Sequence, residues 1–145
     1  MINKIIENKE YKNLVSSQIK DTMQFLLNQN QEFAITANLD AVVFNPKIPD
    51  STYQQLSKFS LFVLSNYTYS TIKLDENHIY FEAGFGVDNF GSNVKIPYYA
   101  IFQIVVGESI LFINSVATVD KFNEGNENKS LNAFKNNPNN KKLIK

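Results

Sequence analysis

The sequence predicts a mainly β protein with an N-terminal α-helix, its strands closing a small barrel or strongly bent sheet, followed by a disordered C-terminal tail. Three observations predict it. One segment near the start has helical periodicity. The next eighty or so residues break into roughly five to seven short apolar runs divided by turn residues. From Lys121 the chain is Asn-rich: eight of its last 25 residues are Asn, with Pro138 among them. Such a stretch buries too little apolar surface to offset its ordering entropy.

The helix spans Tyr11–Asn30. Tyr11, Leu14, Val15, Ile19, Thr22, Met23 and Leu26 fall on one stripe, with Lys12, Ser16, Ser17, Lys20 and Asp21 opposite. Phe25 and Leu27 widen the stripe. Phe33–Val43 reads as a strand, and Asn45-Pro46 with Pro49-Asp50-Ser51 as an irregular excursion. Phe59–Tyr67 is apolar on both alternations, which predicts a central strand covered on both faces. Thr68–Leu74 and Ile79–Phe85 read as strands flanking the loop Asp75-Glu76-Asn77-His78. Ile79, Phe81, Ala83 and Phe85 share one face. Val94–Pro97 is a short strand, Tyr98–Val106 a buried strand or a helical turn leading into one, and Ser109–Ile113 the last strand.

Composition narrows the functional classes. The formal net charge is zero, so no global field draws in nucleic acid or an anionic membrane. All 14 basic residues are Lys, and the Arg fork that reads phosphate and guanine bidentately is absent. No nucleic-acid partner is expected. No Cys is present, so neither a disulfide nor a thiolate metal site can form. The first residues are charged throughout, without the apolar core of a signal peptide. No apolar run is long enough to span a bilayer. A cytoplasmic, membrane-free protein is expected.

Catalytic signals are sparse. His78 is the sole histidine and reads as a solvated turn residue, since acid–base work needs a positioned partner. Gly84-Phe85-Gly86 and Gly91 lack the Lys-Ser/Thr of a phosphate loop and read as strand glycines that let another backbone come close. No catalytic residue, metal ligand or cofactor is expected. The 12 Phe and seven Tyr are more than so small a core can hold. Phe44, Tyr53, Tyr67, Tyr69, Tyr80, Phe90, Tyr98 and Tyr99 therefore point to exposed Tyr or to an apolar groove or interface.

Three segments resemble the SspB family, the bacterial adaptors that deliver ssrA-tagged proteins to the ClpXP protease. The tyrosine-led helix ends in Phe25-Leu26-Leu27-Asn28-Gln29-Asn30, like the family's W-L-L-D-N-Q, and runs directly into a strand. Phe62-Val63-Leu64-Ser65 and Leu74 through Gly86 resemble L-N-I-A and L-x-N-D-E-V-x-F-x-A-R-F-G-G. Val94-Lys95-Ile96-Pro97 through Ser109-Ile110-Leu111-Phe112 resembles V-x-V-P and the closing strand. The likeness covers roughly residues 10–113. Gly84 stands in place of the family's Arg, Val87 in place of its second Gly, and the loop Val87–Asn93 is longer.

The resemblance implies a small Sm-like or SH3-like barrel over residues 1–115, a flexible linker over 116–140 and a ClpX-binding motif over 141–145. It implies a groove for an extended degradation tag, formed by Phe62, Leu64, Ser65, Ala83, Gly84, Phe85, Gly86 and Leu111. The partners would be ssrA-tagged polypeptides, the N-terminal domain of the ClpX unfoldase through Lys142, Leu143, Ile144 and Lys145, and a second copy of the chain through Tyr11, Leu14, Val15 and Met23. Lys141 stands where the family's motif begins with Leu. A linker of about 25 residues reaches roughly 25–30 Å, enough to give a weak terminal motif an effective concentration on the order of millimolar. Two other classes remain open: an Sm-like nucleic-acid-binding module, and a small-ligand carrier or enzyme built on an aromatic cavity.

Overall fold

The structure is a computed structural model that describes residues 3–123. Helix α1 (Asn3–Ile6) is a single turn and α2 (Lys9–Asn28) carries the amphipathic stripe. The Tyr11 amide donates to Oδ1 of Asn8 at 2.9 Å, satisfying one of the donors a helix start leaves open. Val15, Ile19, Met23 and Leu26 are buried along one face of α2. The helix stops at Gln29–Gln31, whose amides return to the carbonyls of Phe25, Leu26 and Leu27, with Asn30 in the left-handed region.

Strand β1 (Phe33–Asn38) is shorter than its apolar run. The Oδ1 of Asn38 accepts from the Asp40 amide at 3.1 Å and turns the chain through a 3-10 turn, Leu39–Ala41. Strand β2 (Val43–Asn45) then enters a different sheet. Helix α3 (Asp50–Tyr53) fills the irregular excursion, followed by β3 (Phe59–Leu64), α4 (Asn66–Ser70), β4 (Lys73–Leu74), β5 (His78–Phe85), β6 (Phe90–Pro97), β7 (Ile101–Val106) and β8 (Ser109–Ile113). A 3-10 turn, Tyr98–Ala100, leads into β7, as the sequence allows.

Two four-stranded sheets result, in the orders β3-β1-β7-β8 and β2-β6-β5-β4, and every pairing is antiparallel. Among the described residues the protein is thus a small mixed α/β fold, two antiparallel sheets behind an N-terminal helix. Ile35, Leu64, Ile79, Phe81, Val94, Ile96, Ile101 and Ile104 are all at most 2% exposed and fill the core. The rings of Phe62 and Phe81 meet at 5.7 Å and link the sheets. Among the described residues these side chains fill the space between the sheets.

Three expectations are corrected. Phe59–Leu64 is an edge strand, pairing with β1 alone, and its outward residues Leu61 and Val63 are each 60% exposed. The Thr68–Leu74 run forms no long strand. Oε2 of Glu32 accepts from the Asn66 amide at 2.8 Å, and the Ser70 and Thr71 hydroxyls bond back to the carbonyls of Tyr67 and Thr68, so local bonds hold a helical turn. Only Lys73–Leu74 is left to pair with β5.

The folded body also continues past 115, where the linker was expected to begin. Two 3-10 turns, Ser115–Thr118 and Asp120–Phe122, bury Val116, Ala117, Val119 and Phe122. Three buried asparagines fasten them. Nδ2 of Asn114 donates to the carbonyls of Tyr99 and Ile101, and its Oδ1 accepts from the Val116 amide. Nδ2 of Asn38 donates to the Ala117 carbonyl at 3.0 Å, and Nδ2 of Asn123 to those of Ala117 and Val119. Buried amides hydrogen-bonded on this scale hold a backbone that has no sheet partner.

Candidate peptide-binding surface

The residues expected to line a groove divide by burial. Phe62 and Leu64 are 5% and 0% exposed and belong to the core. Phe85 is partly buried, its ring edge-on to Phe44 at 5.3 Å and to Phe62 at 6.4 Å. These three support a surface from beneath and offer little to a ligand. Ser65 is partly buried at the start of α4. Leu111, 49% exposed, lies on β8 at the edge of the other sheet, where an irregularity in the β7–β8 register leaves it without a partner across the ladder.

Ala83 and Gly84 are the two that open into a cleft. It has a volume of about 500 Å3 and is bounded by Pro46, Tyr67, Glu82, Asn89 and Asn93, with Gly91 in its wall. The floor is the β5–β6 hairpin, in which Glu82 pairs with Asn93, Ala83 with Ser92 and Gly84 with Gly91. Two glycines facing each other leave a strip of backbone without side chains. A Cβ at Gly91 would meet nothing within 4 Å, so this part of the strip is open. At Gly84 a Cβ would fall 1.8 Å from Oδ1 of Asn89; the space above it is held by that amide. Asn89 is placed by the turn of the hairpin, where its amide donates to the Gly86 carbonyl at 3.0 Å and its φ is 51°. Gly86 itself adopts φ +75°, a value glycine takes without steric cost.

The rim has one ordered polar pair. The Tyr67 hydroxyl donates to Oε1 of Glu82 at 2.7 Å, and that bond pushes the phenol above its ordinary value. Tyr67 stands among the surplus aromatics of the sequence. Its place at the rim depends on the α4 turn, which the strand reading of 68–74 conceals.

A second exposed feature lies on the other sheet. The outer face of β3-β1-β7-β8 carries the register rows Val63–Ala34–Val105–Ile110 and Leu61–Thr36–Gln103–Ile113. Leu61, Val63, Ile110 and Ile113 are 53–61% exposed.

The expected dimer contact is also divided. Val15 and Met23, 3% and 0% exposed, pack into their own chain and have no surface for a second copy. The wide stripe is spent on the helix's own sheets. Leu14 and Phe25 remain outside, at 53% and 59%, and Tyr11 is partly buried. The expected ClpX-binding motif, Lys142–Lys145, and the part of the expected linker beyond Asn123 lie outside the described residues.

His78 departs from a solvated turn residue. It is the first residue of β5, its side chain 26% exposed, with Nδ1 3.8 Å from Oδ1 of Asp75. Burial, then the nearby Lys95, pulls its pKa below the ordinary value. Asp75 accepts from the hydroxyl of Tyr80 at 2.7 Å and from the amides of Asn77 and His78, and these bonds lower its pKa. The group organises a turn. Among the described residues no three His, Asp or Glu side chains cluster as a metal site, and no helix is long and apolar enough to cross a membrane.

No protein-family profile matches this chain, and no curated protein sequence matches it. The likeness to SspB adaptors therefore rests on the quoted segments alone.

Proposed function

We propose that the protein is a non-enzymatic adaptor that captures ssrA-type degradation tags and tethers them to the ClpX unfoldase. The observation that carries this reading is the strip of backbone at Gly84 and Gly91, open at Gly91 and covered at Gly84 only by the end of the Asn89 side chain, within a cleft of about 500 Å3. An extended peptide needs little more: backbone to lie along, and recesses for alternate side chains. Ala83 and Gly84 fall in the segment whose F-x-A-x-F-G pattern resembles the family, and the two sheets behind a helix are compatible with an Sm-like barrel.

In this reading the tag lies over Ala83, Gly84 and Gly91 and is flanked by Tyr67 and Asn93. Phe62, Leu64 and Phe85 support the floor. The homodimer forms through the solvent side of α2, with Leu14 and Phe25 as its apolar contacts. Lys142–Lys145 engages the ClpX N-terminal domain, with Leu143 and Ile144 as the two aliphatic anchors.

Degradation of a tagged substrate by ClpXP, with and without the protein, tests the reading. Faster degradation at low substrate concentration is the expected result. Deleting Lys141–Lys145 should abolish the stimulation while leaving tag binding intact. Undiminished stimulation after that deletion would refute tethering.

A further inference from the structure

A second cleft lies on a different side of the molecule, between α2 and the β2–β6 edge of the second sheet. Its volume is about 520 Å3, and it is lined from α2 by Lys12, Ser16 and Lys20, from β6 by Lys95, from the turn before β5 by Asn77 and from the start of β5 by His78. Lys12, Ser16 and Lys20 are one helical turn apart in succession and so face the cleft together.

The lysines set this cleft apart. The described residues include nine, and six of them are exposed: Lys4, Lys9, Lys47, Lys58, Lys73 and Lys121. The three that are partly buried, Lys12, Lys20 and Lys95, all line this one concavity. Glu76 is the single acidic residue in the lining, against three lysines. Neither Lys20 nor Lys95 has a carboxylate at ion-pair distance among the described residues; the pairs formed there are Lys58–Asp120, Lys121–Glu7 and His78–Asp75. The Lys12 ammonium lies 4.6 Å from the Tyr99 ring centre and 4.8 Å from that of Phe122, which fixes its position. Like charges gathered in a concave, partly desolvated wall focus their field on whatever enters.

We propose that this cleft binds a small phosphate-bearing molecule. The phosphate group would lie among Lys12, Lys20 and Lys95, and the organic part against Pro97 and Tyr99. A phosphate monoester carries about 1.5–2 negative charges at neutral pH, a match for the two ammonium groups of Lys20 and Lys95, of which one carboxylate would compensate only one. Lysine serves as a point-charge phosphate ligand where arginine is not used. The Ser16 hydroxyl and Asn77 amide add neutral donors. A volume of this size exceeds that of a bare anion and falls in the range of small-molecule sites. The site is separate from the tag-binding surface, and either could fail without the other.

His78 reports on it directly. As the only imidazole in the chain, it gives one resolvable set of ring resonances. It is faced by Lys95 on β6, by Asp75 and Glu76 in its own turn, by the Tyr80 ring at 6.0 Å, and across the cleft by Lys12 and Lys20. A bound anion offsets the lysine field and raises the pH at which His78 takes up its proton.

The test is an NMR titration of the full chain with inorganic phosphate and, separately, with ADP, at constant ionic strength. The expected result is a saturable, upward displacement of the His78 midpoint with at least one probe at up to about 10 mM. In the Lys20→Ala/Lys95→Ala variant, with its melting temperature checked against the parent, the affinity should fall by more than about tenfold. Absence of saturable change with both probes, or unchanged affinity in the folded double variant, would overturn the proposal.

Discussion

The outer faces of the two sheets are built oppositely. On the first sheet, Leu61, Val63, Ile110 and Ile113 face outward and are more than half exposed. On the second, the outward positions include Glu82, Gly84, Gly91 and Asn93, polar or without a side chain. One face offers apolar area, the other bare backbone. The difference teaches that apolar pattern alone does not reveal burial. Phe59–Leu64 reads like a strand covered on both sides, yet half of it faces solvent. In contrast, the strand with the clean alternation, β5, buries Ile79 and Phe81 inward as its pattern says.

The largest expected effect contrasts the open face of the first sheet with its sealed end. Ending the chain at residue 115 removes Val116, Val119 and Phe122 from the core, at about 1.5–3 kcal/mol for each large side chain. Such a truncation should fail to fold cooperatively, whereas one ending at 123 should melt like the full chain. Thermal unfolding followed by circular dichroism distinguishes them. A stable 1–115 fragment would show that the asparagine-fastened turns are dispensable.

Within β3 the two alternations should separate sharply. Leu64→Ala should cost about 2–5 kcal/mol by urea unfolding. Leu61→Ser and Val63→Thr on the same strand should each stay within about 0.5 kcal/mol. Equal losses on both sides would mean that the outer face is covered in solution.

On the second sheet, Gly84→Ala should cost about 1 kcal/mol or less, because the group it displaces is the end of the Asn89 side chain rather than backbone. Asn89→Gly in the same chain should restore stability, since Asn89 has a positive φ that glycine adopts freely. A loss that persists in the double variant would point to backbone strain instead.

The smallest effect is one of pH. The folded chain holds His78 below its ordinary value of 6.5, so the unfolded chain takes up the proton first. Stability should therefore fall as pH drops through and below that value. Asp75, lowered by its hydrogen bonds, stabilises above its ordinary value of 3.8 and loses that contribution at lower pH. His78→Asn should flatten the slope between pH 7 and 5 and leave the acid limb. An unchanged slope would assign it to other groups.

Much of the frame was legible in the sequence. Helical spacing located α2 to within two residues at each end, and Ser109–Ile113 is a strand with the bounds its residues suggest. What was hidden depends on bonds between distant residues. The Asn38–Ala117 bond joins positions 79 apart, so residues 116–123 read as part of a disordered linker although they close the fold. The α4 turn relies on Glu32, 34 residues earlier. The candidate surface was legible in part: Ala83 and Gly84 follow from their motif, while Tyr67, Asn89 and Gly91 join them only through the hairpin register and the α4 turn.

Fluorescence anisotropy of a labelled ssrA tag peptide with the full chain tests the central claim most directly. Saturable binding that is lost in Gly91→Leu, a substitution the open strip accommodates without displacing any neighbour within 4 Å of its Cβ, is the expected result. No binding, or binding that Gly91→Leu leaves unchanged, would contradict the assignment of this surface to a degradation tag.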